Sequence, residues 1–444
     1  MSFSTSTSIH LSRYMSRANF YLQRTSTLTK RIGSRSYSSQ KVETIYPHEF
    51  VQGDDFVLSS GRSLPKESLQ IKYAVFGPSI STASGHVDKD KPIILLCPSM
   101  SNSVFAMDEE TEGGGYEGEK GWWRKVIGVG PDCGIDIDKF QVVCGAPLGS
   151  PFGSTSPLTI NPKTGSPWGA TFPQITPQDM ARLQALLLDY LGIDKVFAVV
   201  GGSMGGMQSL QFAANFPSRY DRFVSIAATA QTSPATVALR SVQRSAVRTD
   251  PNYKGGSYET GKGPSQGMAV ARMFGTICYR SPEEFTERFD WYPTVTGDDI
   301  SFEVERYLQY QASKFVHKVN YDANCYLLLS KGMDMMDIGA GTPSFEDGAK
   351  RITQDKQGLL LSYSTDRLTP PQDLERLSEV LGRHGVSVHY EVLQSQFGHD
   401  AFLIESQALD LNMRLKAFLE TDENTYGGHG VHNVRALEKE LLLD

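Results

Sequence analysis

The chain has 444 residues and a formal charge of −7. That length suffices for one large domain with an insertion, or for two domains. The acidic balance argues against a nucleic-acid surface, and no apolar run approaches the ~20 residues a membrane span requires, so neither nucleic acid nor membrane is an expected partner.

The first 42 residues differ in composition from the rest. They hold Arg13, Arg17, Arg24, Lys30, Arg31, Arg35 and Lys41 among many Ser and Thr, and Glu43 is the first acidic residue. An Arg- and Ser-rich, acid-free leader has the composition of a mitochondrial transit peptide. Residues 1–42 are therefore predicted to be a disordered leader directing the protein to the mitochondrial matrix. Arg35-Ser36-Tyr37-Ser38-Ser39 has the form of a processing site cut after Tyr37. A disordered basic tail is the competing reading. The five cysteines are odd in number and form no Cys-x-x-Cys, which suggests neither a disulfide framework nor a zinc site. Cys97 and Cys144 end apolar runs and read as small core residues.

In chain order, Leu69, Ile71, Tyr73 and Val75 alternate with polar residues and predict a half-exposed strand. Residues 92–97 are continuously apolar apart from Pro92 and predict a buried strand, followed by Pro98-Ser99-Met100-Ser101-Asn102. Gly121-Trp122-Trp123 precedes another strand at 140–144. Residues 145–177 form a long Gly/Pro/Ser-rich loop, and loops of that length are usually functional. Thr176-Pro177 caps a helix over about 178–191, with Gly192 as its stop. Further strands fall at 196–200, 223–227, 358–363 and 386–393. Between Pro234 and Asp355 the strand pattern vanishes, and 303–311 and 321–333 read as helices. Strands alternating with helices imply an α/β fold with a mostly parallel, doubly wound sheet, whose sites lie at the carboxyl ends of the strands. The predicted divisions are a core at 43–233, an inserted helical cap at 234–355, the rest of the core at 356–420, and a tail at 421–444.

Gly201-Gly202-Ser203-Met204-Gly205-Gly206 stands between the 196–200 strand and a helix over 207–216. A serine at such a tight turn needs neighbours without side chains, and the turn lifts its hydroxyl above the sheet. This is the G-x-S-x-G nucleophile elbow. A serine hydroxyl is a weak nucleophile until a base removes its proton, and a carboxylate must orient that base. Asp366 and His399 each follow a predicted strand, in the Ser, Asp, His order this arrangement uses. The other eight histidines lie in the leader, in the tail, within a strand or away from strand ends. The backbone N–H groups of Met204 and Met100 are the candidate donors to the oxyanion of the tetrahedral intermediate.

These residues resemble one group within the α/β-hydrolase superfamily, the homoserine/serine O-acyltransferases. The resemblance spans about 48 to 420. It rests on Gly121-Trp122-Trp123, the elbow through Gln208, Ala271-Arg272-Met273, 279–285, 302–311, 314–316, 322–326 and Gly398-His399-Asp400-Ala401-Phe402-Leu403. It implies an α/β-hydrolase fold with a helical cap and an acyl-CoA co-substrate with no bound cofactor or metal. It further implies an acyl-Ser203 intermediate, transfer to an amino-acid hydroxyl, and a homodimer through the cap. Arg272 resembles the family's carboxylate-binding arginine, and Asp400 its partner for the substrate ammonium. Pro98, Ser99, Met100 and Ser101 match the segment of the serine-using branch rather than the Cys-His-Ala-Leu-Thr-Gly of homoserine acetyltransferases. Residues 148–157 also depart from the homoserine pattern. L-serine is therefore the expected acceptor and succinyl-CoA the expected donor, for cysteine biosynthesis, with Arg240 or Arg367 as the cation for a succinyl carboxylate. The alternatives are a serine or homoserine O-acetyltransferase using acetyl-CoA, an esterase or thioesterase using the same triad on water, and an inactive fold retained for binding.

Overall fold

A computed structural model describes residues 40–45 (as backbone), 55–77, 87–108, 120–259, 261–297 and 299–421. An eight-stranded sheet forms its centre. Its strands are β1 (Gln40–Ile45), β2 (Ile71–Phe76), β3 (Ile93–Cys97), β4 (Gln141–Gly145), β5 (Val196–Gly202), β6 (Tyr220–Ile226), β7 (Gln357–Tyr363) and β8 (Ser387–Leu393). The spatial order is β1-β2-β4-β3-β5-β6-β7-β8. β2 runs antiparallel to both β1 and β4, and every pairing from β4 to β8 is parallel. The carboxyl ends of six strands therefore share one edge, where 98–102, Ser203, Asp366 and His399 all emerge.

Both faces of the sheet are covered, which is why its central strands read as unbroken apolar runs. Leu95, Val199, Phe223 and Leu360 pack on one side with Met180, Met207, Leu210 and Leu374. Their neighbours Ile94, Leu96, Val200, Val224 and Leu361 face the other side, with Leu411, Leu415 and Phe418. The first layer is built from α1 (Pro177–Tyr190) and α2 (Met204–Asn215), with a contribution from the later helix at Pro371–Arg383. Thr176 and Asp179 form a capping box at the start of α1. The buried Asp179 carboxylate also accepts from the Ser59 N–H at 2.7 Å, tying the early chain to this helix.

Between β6 and β7 the chain leaves the sheet for α3 (Pro234–Thr249), α4 (Ser265–Tyr279), α5 (Pro282–Arg288), α6 (Glu303–Ser313), α7 (Ala323–Asp334) and α8 (Phe345–Ala349). A π-helical turn at Lys314–Val319 extends α6 and ends at Asn320 in left-handed backbone. α9 (Pro371–Arg383) and α10 (Ala408–Glu420) complete the fold.

The sequence reading is corrected in four places. β2 is buried on both faces rather than half exposed, because Ile71, Tyr73 and Val75 pack in the first layer while Ala74 and Phe76 enter the second. Gln40–Ile45 is strand paired with β2, so residues 40–42, assigned to a disordered leader, are part of the sheet. Residues 1–39, including the processing motif, and tail residues 422–444 lie outside the described residues. The 234–355 insertion carries a two-stranded hairpin, Thr294–Thr296 with Asp299–Ser301, that sequence periodicity did not show. Helix ends shift by up to three residues, most at α2, which begins at Met204 directly after the serine.

Close approach of α2 to β3 fixes how the elbow meets its neighbours. A Cβ on Gly205 would lie 2.0 Å from the carbonyl oxygen of Cys97. Gly205→Ala is therefore expected to destabilise the fold by ~1–3 kcal/mol, the usual range for overpacking. Denaturant unfolding checks this; a variant with the parental midpoint would show that α2 can retreat from β3.

Candidate active site

Ser203 has φ 54° and ψ −121°, a backbone conformation that disfavours side chains. Its N–H is fixed to the Ile226 carbonyl at 2.8 Å, and its carbonyl accepts from Met207 at 3.0 Å. The elbow is thus anchored to β6 on one side and to α2 on the other. Its hydroxyl is partly exposed and lies 2.8 Å from Nε2 of His399. On the far side of the ring, Nδ1 is 2.7 Å from Oδ2 of Asp366. Among the histidines of the described residues, the structure brings this one to the serine.

Asp366 is buried and heavily bonded. The Leu368 and Thr369 N–H groups donate to its Oδ1 at 2.8 and 2.9 Å, and the Thr369 hydroxyl donates to Oδ2 at 2.7 Å. With Oδ1 occupied by the backbone, Oδ2 is held toward the imidazole. That fixes the tautomer with hydrogen on Nδ1 and a lone pair on Nε2 facing the serine. Thr365 links the two loops, accepting from the Gly398 N–H at 3.0 Å and donating to the Ser395 carbonyl at 2.7 Å.

His399 is buried, which by itself lowers its pKa. The Asp366 carboxylate, with a smaller contribution from Asp400, outweighs burial and the opposing Arg240, so the net direction is upward from the ordinary 6.5. Tyr279 and Phe402 enclose the ring, with centroids 6.1 and 6.0 Å from its own. Gly398 makes room for this enclosure: it has φ 63°, and a Cβ there would lie 2.7 Å from the Tyr279 carbonyl oxygen. Trp123 donates from its indole to the Phe402 carbonyl at 2.9 Å, so the Gly-Trp-Trp motif braces the histidine loop from behind.

The other candidates fall around this centre. Met204 opens α2, so its N–H is one of the first-turn donors left without an intrahelical acceptor. Pro98, Ser99 and Asn102 are buried, Met100 is partly buried, and Ser101 is exposed. The Ser99 hydroxyl donates to the Gly202 carbonyl at 2.7 Å, and Gln208 donates to the Pro98 carbonyl at 3.0 Å. The 98–102 loop is thereby clamped against the elbow.

Of the eight arginines in the 234–355 cap, four bear on the site. Arg240 and Arg244 are buried and share Asp334, at 3.4 and 2.6 Å. Arg280 stands 3.1 Å from Asp400, though its N–H does not point along that line. Arg272 has no carboxylate in ion-pair range among the described residues. Its guanidinium is 5.1 Å from the Phe315 ring centroid and 5.8 Å from that of Tyr279, and its buried Nε has no hydrogen-bond partner. Arg367 is exposed, and no ion pair joins it to the cluster.

Sequence reasoning did not name Thr369, and it included Tyr279 and Gln208 only among the residues that carry the resemblance, with no role assigned. Thr369 is three residues beyond Asp366, the spacing of a side-chain-capped turn. Tyr279 is seven beyond Arg272, two helical turns along the same face of α4. Both signals were available.

A parallel sheet with a serine at a strained strand-to-helix turn, bonded to a histidine and an aspartate from later strand ends, defines an α/β hydrolase-type acyl-transfer site. The alpha/beta hydrolase fold family matches residues 112–406. Homoserine O-acetyltransferase of Deferribacter desulfuricans is 36% identical over 356 residues, covering 79% of this chain and 90% of that protein. Serine O-succinyltransferase of Litchfieldella anticariensis is 42% identical over 321 residues, covering 71% and 85%. The crystal structure of homoserine O-acetyltransferase from Bacillus anthracis superposes with a TM-score of 0.74 at 24% identity, covering 86% of this chain and 98% of that one, and so shares the fold. The chain belongs to the homoserine/serine O-acyltransferase family of the α/β-hydrolase superfamily, and it is an O-acyltransferase.

The raised pKa of His399 has a consequence for activity. The protonated imidazole cannot accept the Ser203 proton, so kcat/KM should rise with pH through a value above 6.5. Asp400→Asn should move that limb to lower pH. Asp366→Asn should cost on the order of 10⁴-fold in kcat, as loss of the orienting carboxylate does elsewhere. An acid limb below 6.5 in the parent enzyme would contradict this account.

Proposed function

We propose that the enzyme transfers a succinyl group from succinyl-CoA to the hydroxyl of L-serine, through an acyl-Ser203 intermediate. The observation that carries the acceptor reading is Arg272, an unpaired guanidinium shelved on aromatic rings beside the triad. An esterase acting on neutral substrates has no use for such a cation, whereas an amino-acid carboxylate would satisfy it with two parallel hydrogen bonds. The Pro98–Ser101 segment and the kinship to a serine O-succinyltransferase favour serine over homoserine.

In the first half-reaction His399 takes the Ser203 proton as Oγ attacks the thioester carbonyl. The oxyanion is met by the N–H groups of Met204 and Met100, and the imidazolium returns the proton to the departing CoA sulfur. In the second half-reaction the same nitrogen deprotonates the serine hydroxyl, which attacks the acyl ester. Proton return to Ser203 Oγ releases the O-acyl amino acid. Arg272 holds the acceptor carboxylate, and Asp400 accepts from its ammonium while sharing charge with Arg280.

Arg240 and Arg244 share Asp334, and Arg240 acts electrostatically on both Tyr279 and His399; that positive charge near the triad favours a donor with a free carboxylate. In this reading Arg240, rather than the exposed Arg367, attracts the succinyl end. The product is an activated serine suited to displacement by a sulfur nucleophile, as cysteine formation requires. We further propose that the acid-free leader takes the protein to the mitochondrial matrix and is cut after Tyr37, just ahead of β1.

A matrix of acetyl-CoA and succinyl-CoA against serine and homoserine, read by product mass, should give O-succinylserine as the main product. CoA release independent of any amino acid would instead indicate a hydrolase. Arg272→Ala should raise the KM for serine by roughly 10- to 100-fold, as loss of charged hydrogen bonds does, with the donor KM little changed. Arg240→Ala should lower activity with succinyl-CoA more than with acetyl-CoA, and equal losses would remove its donor role. Amino-terminal sequencing of the mature protein should begin at Ser38; an unprocessed chain in purified mitochondria would refute the cleavage.

A further inference from the structure

We infer that Tyr321 is a positioning residue for the oxyanion site, holding the Met100 end of the 98–102 loop through its hydroxyl. The inference rests on the reading that the Met100 N–H meets the oxyanion. The Tyr321 hydroxyl donates to the Met100 carbonyl at 2.9 Å. The side chain is enclosed by Phe315 in a stacked contact with centroids 5.3 Å apart, and by Phe152 and Tyr326 edge-on at 5.7 and 6.2 Å. Burial pushes its ionisation well above the ordinary tyrosine value, so the hydroxyl remains a donor throughout the working pH range.

Two pins therefore hold the loop on either side of the Met100 N–H. Upstream, the Ser99 side chain donates to the Gly202 carbonyl, one residue before the nucleophile. Downstream, Tyr321 holds the Met100 carbonyl from the cap. An N–H placed between two fixed points needs no reorganisation when charge develops on the oxygen, which is the condition for strong oxyanion stabilisation. The donor of the downstream pin is not part of the sheet. Tyr321 follows the π-helical turn and Asn320, and it stacks on the Phe315 ring that lies beneath Arg272. The shelf for the acceptor's carboxylate and the support for the oxyanion donor thus share one aromatic stack.

Tyr321→Phe removes the hydroxyl and keeps the ring. Each variant is assayed by the burst of CoA released from succinyl-CoA, per titrated Ser203, and by its affinity for phenylboronic acid, which adds to Ser203 as a tetrahedral mimic. The burst should slow by roughly 10- to 100-fold, between the loss of a neutral hydrogen bond and that of a whole oxyanion donor. Boronate binding should weaken by the same factor, while both KM values stay within about twofold of the parent. Should Tyr321→Phe yield too little folded protein, Ser99→Ala removes the other pin and must give the same pattern. A slower burst with unchanged boronate affinity, or a parental burst, would overturn the inference. Ser203→Ala separates the two levels: if it still releases CoA at the parental rate, the acyl-Ser203 reading itself fails. If it does not, a normal Tyr321→Phe removes only the role given to Tyr321.

Discussion

The site depends on one backbone conformation, the left-handed turn at Ser203. A side-chain-bearing residue is held there only when its surroundings over-determine it, and here hydrogen bonds to Ile226 and from Met207 do so. The turn has two effects that an ordinary loop could not combine. It lifts the hydroxyl clear of the sheet toward His399, and it begins α2 immediately afterwards, so that a first-turn N–H faces the same space. The glycines around it serve this geometry: without side chains, α2 can settle on the end of β3 and bring the 98–102 loop against the elbow.

Around that turn, the fold gives the hydrogen-bond relay and the charges to different parts of the chain. The relay is built entirely from strand ends, where parallel pairing gives fixed spacing. The arginines proposed to meet a substrate come from the cap. There Arg240, Arg244 and Arg280 each have an acidic neighbour, and Arg272, among the described residues, has aromatic faces instead. Leaving one guanidinium unpaired in a partly enclosed space is costly unless a ligand completes it.

Much of this was legible in the sequence, for reasons that differ by element. The central strands were readable because burial on both faces leaves a continuous apolar run. Ser203, Asp366 and His399 were readable because chain order and post-strand position restrict the choice to few residues. β2 was misjudged since its alternation is real but both faces are covered, a tertiary fact no local pattern carries. β1 was hidden by the basic composition that precedes it, and the cap hairpin by its short, exposed strands. Arg240 could be nominated but not distinguished from Arg367, because only the packed structure shows one buried and the other at the surface. Tyr321 had no local signature at all: its acceptor lies 221 positions earlier in the chain.

The insertion of the cap ahead of β7 orders events in time as well as in space. Ser203 and His399 are 196 positions apart, and the Asp366 carboxylate that orients the imidazole lies beyond the cap. A chain emerging at roughly 5–20 residues per second would carry the serine for about ten to forty seconds before its base exists. Through that interval the hydroxyl has no imidazole to take its proton and remains the weak nucleophile that any serine is. Reactivity arrives with the last two strands, as the closing act of assembly.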